Sequence, residues 1–428
     1  MQKKVIVIGG GFAGLTAAAY LVENNFNVTL LEASPKLGGR AYSFVDRETN
    51  TEIDNGQHIL MGCYYETIKF LSLIGASKNF YFQKRLKVDF VKEGFKIHKL
   101  KSFPFFYPLN LIFGFLNFGA ISVSNRLSAL RVLIKLPFYS SKNFSSLSII
   151  EWLEKENQSE PIQKAFWKIL AVGALNTSLE KASTKIFIDI LKQIFLEGNK
   201  SATIILPKKG LSESYVANAQ DYILKNGGDV RFSEQVETII IKDNCVSKIQ
   251  TSKGNYSDFD YVISSVPAFA LERILKGESS IVLPEFEYST ILNIHFWLKK
   301  NVIPDSFFGL IDSPVHWVFN KGTHLNIVIS DANELNNKSD DDILELVKGE
   351  LKKYFLLDSE LISNYKIIKE KRATFIPSKE IINKRPSQKI NINNLVLAGD
   401  WVNTGLPSTI ESAVKSGRVA AEIISSLN

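Results

Sequence analysis

Lys4-Val5-Ile6-Val7-Ile8-Gly9-Gly10-Gly11-Phe12-Ala13-Gly14-Leu15 decides the fold. Val5–Ile8 is a β-branched run of strand length, and three glycines break it. Leu15, Ala18, Ala19 and Val22 then recur at helical spacing. Asn27–Leu31 forms a second strand that ends at Glu32. This order predicts the mononucleotide-binding half of a doubly wound α/β fold. Gly9 allows the tight turn, Gly11 lets a pyrophosphate approach the backbone, and Gly14 lets the helix pack on the sheet. Glu32, 18 residues beyond Gly14, supplies a carboxylate for a ribose diol. Either feature alone is an ordinary glycine turn or a solvated strand end. Together they point to a bound dinucleotide.

The rest of the chain supports a globular enzyme. Its 428 residues carry 45% apolar and 22% charged side chains, which excludes a disordered or fibrous chain and predicts two intertwined domains. The apolar run after Lys3-Lys4 stops after four residues, too early for a secretory signal, so it reads as a buried strand. Cys63 and Cys245 lie far apart without any CxxC, which fits a reducing compartment and neither a disulfide framework nor a zinc site. His58, His98, His295, His316 and His324 show no pair at metal-ligand spacing, so no metal is assigned. No motif supports nucleic-acid binding.

Two further segments carry chemistry. Leu37-Gly38-Gly39-Arg40 follows the first βαβ unit, with glycines for close approach and a forked guanidinium for phosphate. Near the C-terminus, Leu395-Val-Leu-Ala-Gly399-Asp400-Trp401 reads as a buried strand ending in a glycine and an acid. Ser408-Thr409-Ile410-Glu411 has capping-box spacing, which predicts a helix from Ser408 with exposed N–H groups.

With these motifs the chain resembles the amine oxidase and phytoene desaturase flavoproteins, which favours FAD over NAD. Asp54-Asn55-Gly56-Gln57-His58-Ile59-Leu60, Leu175-Asn176-Thr177-Ser178, His316-Trp317-Val318-Phe319, Lys371-Arg372-Ala373-Thr374 and the run Ala398–Gly417 narrow the resemblance. They are similar to the squalene-associated FAD-dependent desaturase-like proteins, the hydroxysqualene dehydroxylases of squalene and hopanoid biosynthesis. The resemblance runs from the first strand to the last helix. It implies a Rossmann-like FAD-binding domain of the GR2 type with an interleaved α+β substrate domain. The FAD domain is expected from 1–75, 200–270 and 385–428, and the substrate domain from 76–199 and 271–384. It implies FAD contacts at Gly9, Gly11, Gly14, Glu32, Gly38, Gly39, Arg40, Gly56, Gln57, Val236, Gly399, Asp400, Thr409 and Ile410, with Asp400 on the ribityl chain. The helix that follows would turn its positive end to the flavin pyrimidine.

The reaction so implied is reduction of a C30 allylic alcohol to squalene. An allylic C–O bond leaves readily once protonated, which requires an acid near the flavin and an apolar tunnel. His58 is the candidate acid by side-chain type. A histidine held by backbone bonds beside the cofactor is an equal reading, and Asp54 and Glu411 are weaker candidates, Glu411 being accounted for by capping. The same fold and cofactor would serve a carotenoid desaturase running the hydride the other way. A prenyl-lipid carrier without flavin is the non-enzyme alternative, against which the fingerprint, Glu32 and Gly399-Asp400 argue.

Between Lys84 and Lys101, seven basic residues face only Asp89 and Glu93. From Ser102 to Asn125 no charge occurs and seven aromatics do, from Phe103 to Phe118. Pro104, Pro108, Gly114 and Gly119 oppose a spanning helix. Core lining or contact with a membrane surface fits, with the basic segment on anionic headgroups. The expected location is cytoplasmic, peripheral on the inner face of the cell membrane. Contact with other squalene-pathway enzymes is compatible with that location.

Overall fold

Lys4–Ile8 lies at the centre of a five-stranded parallel sheet, in the computed structural model that describes residues 2–276, 281–304 and 306–427. The strand order is Asp229–Arg231, Asn27–Leu31, Lys4–Ile8, Tyr261–Ser264, Leu395–Leu397. Val5 and Val7 pack to one side and Ile6 and Ile8 to the other, so the run is apolar without alternation, as a parallel strand covered on both faces requires. The first helix, Phe12–Glu23, shows a single stripe in sequence yet is buried nearly all round, Ala17 and Leu21 included. The C-terminal helix Ile410–Ser426 covers its outer side. A Cβ at Gly417 would lie 2.2 Å from the Ala13 carbonyl, so the glycine permits that close crossing.

All five strands fall within 1–75, 200–270 and 385–428. Phe80–Phe82 also pairs with Ile204–Pro207, which carries this side of the molecule past the boundary drawn at residue 75. Met1, residues 277–280, Asp305 and Asn428, included in the segments drawn above, lie outside the described residues.

A second, seven-stranded sheet is built from the two intervening stretches. Its order is Ile362–Phe375, Tyr288–Leu298, Leu325–Ile329, Trp317–Asn320, Phe307–Leu310, Lys87–Lys92, Lys96–Lys101. Pairing is antiparallel except between Phe307–Leu310 and Lys87–Lys92. The strand period divides its residues cleanly. Leu292, Ile294, Val318 and Ile327 pack on the helix Asp340–Phe355, while Ile291, Asn293, Trp317, Phe319 and Val328 face the cofactor side. The uncharged stretch after Lys101 holds the eight-residue helix Leu109–Leu116, begun after Pro108 and ended at Asn117, and the start of the helix Val123–Lys135. Among the described residues no helix is long and apolar enough to cross a membrane. Phe115 and Phe118 are buried, so the seven aromatics do not act as one surface: Phe105, Phe106 and Phe113 are exposed.

Burial keeps three histidines in or beside this sheet uncharged, lowering His295 to about 3 and His316 and His324 to about 4. In the unfolded chain each takes a proton near pH 6.5. The folded state then binds fewer protons, so this stability is complete above about pH 6.5 and is lost as pH falls toward 4. Asp331, which burial raises to about 6, takes up its proton earlier when folded and opposes one of the three. The three histidines outweigh it, so stability falls as pH drops from 6 toward 4. Urea midpoints are expected to drop steadily from pH 7 to pH 4.5. A midpoint that holds constant over this range would contradict the burial of these groups as neutral imidazoles.

Candidate active site

The two sheets enclose a cavity of about 460 Å³ where the glycine turn meets the C-terminal motif. Thirteen of the fifteen residues singled out in the sequence line it, because the parallel strands all deliver their C-terminal ends to this crevice. Gly14 and Val236 do not. A Cβ on Gly14 would fall 1.9 Å from the Gly9 carbonyl oxygen, so Gly14 acts in helix packing, as expected. Val236 is buried in the strand Val236–Lys242 of a separate three-stranded sheet and does not line this cavity.

Gly9 holds φ at 100° and its N–H donates to the Leu31 carbonyl, which turns the chain into the helix. Gly11 is the N-cap and brings no side chain, leaving the first N–H groups of the helix facing the cavity. The Glu32 carboxylate accepts from the Gly10 N–H at 2.6 Å and from the Ser34 N–H at 2.8 Å. It is thereby fixed at the rim with lone pairs to spare.

Arg40 does more than wait for a phosphate. It donates to the Ala373 carbonyl at 2.8 Å and pairs with Asp400 at 2.5 Å, so the two ends of the chain meet in one ion pair. Burial pushes the Asp400 carboxyl up, and Arg40 and the Ser408 hydroxyl outweigh it to hold the group below its usual range. Asn55 ties the Asp54–His58 segment to the Gly38–Arg40 loop, accepting from the Tyr42 N–H and donating to the Arg40 carbonyl. The Gln57 N–H donates to Asn293 Oδ1 across the cavity at 3.2 Å. Gln57 Oε1 and His58 Nε2 are buried without a partner. Burial lowers the His58 pKa; Asp54 raises it, and Arg40 and Lys321 lower it further. The imidazole is therefore neutral near pH 7 rather than a standing cation.

The C-terminal motif corrects one expectation. The last helix starts at Ile410 with Thr409, not Ser408, as N-cap, the Thr409 hydroxyl accepting from the Ser412 N–H. Ser408 instead donates to Asp400. Glu411 closes no capping box. Its carboxylate accepts from the Glu66 and Thr67 N–H groups and the Thr67 hydroxyl, capping the helix Tyr65–Leu73 from outside. Local spacing could not reveal a partner 344 residues away.

Arg385 carried no motif and was missed. It is buried and donates to the carbonyls of Asp400, Trp401, Val402 and Leu406, while its guanidinium lies 4.9 Å from the Phe375 ring centroid. A lone arginine in sequence gives no sign that it will shape a loop. Asn293, equally silent, orients Gln57.

A second cavity of about 360 Å³ opens from the first past Ile59, Tyr64, Gly173, Ala174, Trp317 and Thr409. Its wall is almost wholly apolar, with Phe90, Leu111, Phe115, Leu130, Phe166 and Phe307 among the contributors. The first cavity carries the glycines and most of the polar groups, and the second, sharing these six residues, continues as an apolar tunnel-like space.

The first cavity fits a dinucleotide: a side-chain-free cradle at Gly9, Gly11 and Gly39, a helix N-terminus, a fixed carboxylate, and two lining residues, Gln57 and His58, with unpartnered polar atoms. This is the site of a dinucleotide-binding oxidoreductase. A family model described as flavin containing amine oxidoreductase matches residues 12–425, and the chain belongs to that family. It is 28% identical to a hydroxysqualene dehydroxylase of Zymomonas mobilis, covering 97% of this chain and 98% of that one. A 15-cis-phytoene desaturase of Glycine max is 22% identical over 98% of this chain and 79% of its own. In structure the chain resembles an oxidoreductase of Methanosarcina mazei, with a TM-score of 0.75 at 16% identity, covering 98% of this chain and all of that one.

Two glycines separate packing from binding. Gly11→Ala has room, the nearest outside atom to the new Cβ being 3.8 Å away, so the fold should survive while the methyl group blocks the cradle and flavin content falls. Gly14→Ala drives a Cβ into backbone and should cost roughly 3 kcal/mol of stability or more. Melting curves and flavin absorbance measured on both variants distinguish the two effects.

Proposed function

We propose that this chain binds FAD non-covalently and uses its reduced form to remove the hydroxyl of hydroxysqualene, giving squalene. The observation that carries this reading is the apolar tunnel entering the cofactor chamber beside His58. The similarity to hydroxysqualene dehydroxylases supports the same substrate class. We infer a cofactor domain from 1–75, 200–270 and 385–428, with the remainder binding substrate.

Glu32 would take the adenosine ribose, the helix N-terminus at Gly11 and the Gly38–Arg40 loop the pyrophosphate, and Asp400 the ribityl chain. The N-terminus of the last helix at Thr409 and Ile410 would face the pyrimidine, where its partial positive charge favours an anionic ring. Bound and reduced, the flavin supplies a hydride equivalent to carbon. The chain's own work is to hold the prenyl tail in the tunnel, exclude water and pass a proton from His58 to the departing oxygen.

The outer end of the tunnel supports delivery from a membrane. Its lining residues Ile112, Leu130 and Ile134 belong to the helices Leu109–Leu116 and Val123–Lys135. Around them Phe106 and Phe138 are 72% and 86% exposed, and Phe105, Val123 and Leu127 are also exposed. Such clustering marks a lipid or protein contact rather than scattered surface apolar groups. The exposed lysines 84–101 lie beside it on the sheet edge, each worth about 1 kcal/mol against anionic lipid.

Anaerobic incubation of photoreduced protein with hydroxysqualene is expected to yield squalene and oxidised flavin. Reaction only with phytoene, under oxidising conditions, would favour a desaturase instead. Phe105→Ser combined with Phe106→Ser should weaken binding to anionic liposomes and turnover of membrane-delivered substrate while flavin content stays unchanged. Binding should also weaken as salt rises. Parent-like liposome binding by the double variant would assign these rings to packing.

A further inference from the structure

The helix Lys168–Leu175 turns Ala171, Val172 and Leu175 into the core, and Ile169, Leu170, Gly173 and Ala174 toward the second cavity. Gly173 and Ala174 line the first cavity as well, together with Ile59, Tyr64, Trp317 and Thr409. The cavity face of this helix therefore sheds its side chains as it reaches the junction of the two spaces. A Cβ at Gly173 would meet no atom within 4 Å outside the helix's own backbone, so the space beside it is open. The other described glycines with such room line neither cavity, and most hold a positive φ that favours glycine. Gly173 holds no positive φ and sits inside a helix, where glycine is less favourable than alanine. Neither backbone strain nor close packing accounts for it.

We propose that Gly173 determines specificity for methyl-branched chains, by leaving the junction wide enough for a branch to lie beside the helix. The inference rests on the isoprenoid substrate argued above. The allylic carbon of such a substrate reaches the cofactor cavity while its prenyl tail lies in the tunnel, so the chain must cross the junction. The trisubstituted double bond beside the reacting carbon carries a methyl group into the same region.

The rest of the junction has less to give. Ile59, Tyr64 and Trp317 are large, and Trp317 is fixed in the sheet between Gly309 and Val328. Even a Cβ at Gly309 would lie 3.1 Å from the Trp317 ring and 2.6 Å from Phe90, so the indole has no space to withdraw on that side. Room for a branch comes from the helix. Alanine at position 173 would put one methyl group into that room, and valine three carbons. Both favour a helix more than glycine does, so neither change threatens the fold.

The test uses the flavin-loaded parent, Gly173→Ala and Gly173→Val. Each is offered hydroxysqualene and an unbranched secondary allylic alcohol of the same chain length, in one detergent. Binding to the oxidised protein is read from the shift in flavin absorbance, and anaerobic reoxidation of the photoreduced protein gives the rate. Both variants should keep the parent's flavin content and melt no lower than it does. Affinity and rate with hydroxysqualene should fall from glycine to alanine to valine, by roughly tenfold or more at valine, while the unbranched alcohol changes by less than about twofold. A parent that binds hydroxysqualene without reoxidising overturns the proposed reaction, and the binding series then decides the role of Gly173 alone. A parent that binds neither alcohol overturns both. Parent-like binding of hydroxysqualene by Gly173→Val, equal losses for the two alcohols, or loss of flavin from the variants overturns the selection for branching.

Discussion

The ion pair of Arg40 with Asp400 joins segments 360 residues apart, and most of the site depends on it. Asp400 cannot remain ionised in a closed crevice without a cation and a donor, and Arg40 and Ser408 supply both. Arg40 in turn is placed by the Gly38-Gly39 turn and by Asn55, which donates to its carbonyl. The pair therefore fixes the glycine loop, the Asp54–His58 segment and the C-terminal loop relative to one another before any cofactor enters. A cofactor meeting this preformed surface loses less binding free energy to ordering the protein.

Arg385 supports the same loop from the other side. Asp400–Leu406 turns several carbonyls inward, and one guanidinium with its fork of donors satisfies four of them. The loop faces the first cavity at Asp400 and Trp401 and the tunnel at Leu406 and Pro407. Its shape sets where polar surface gives way to apolar. Lysine at position 385 would keep the charge and lose that geometry. Burial without a carboxylate partner lowers the Arg385 pKa to about 10, which still leaves it a cation at neutral pH.

Local chemistry was legible in the sequence and remote partnership was not. The glycine turn, the acid at the strand end and the GGR and AGD motifs lie where their spacing put them, because each is a short-range requirement of backbone geometry. The strands Lys4–Ile8, Asn27–Leu31 and Leu395–Leu397 form for the same reason. Glu411 shows the limit: its spacing matches a capping box, yet a helix from the other end of the chain offers it three donors and wins. The first helix shows it again, since its outer alanines read as exposed until a second helix covers them. Arg385 has no local pattern at all, and only the folded chain reveals what it touches.

The boundary between the two cavities also separates two kinds of wall. The second cavity has an almost wholly apolar wall, which offers water few partners, whereas most of the polar groups line the first. The seven-stranded sheet supplies both kinds: Asn293 lies level with Val328 and Trp317, and His295 with Asn326 and Phe319, so polar and aromatic side chains neighbour one another across adjoining strands. A sheet mixed in this way gives the first cavity both apolar surface and hydrogen-bonding groups from one set of strands.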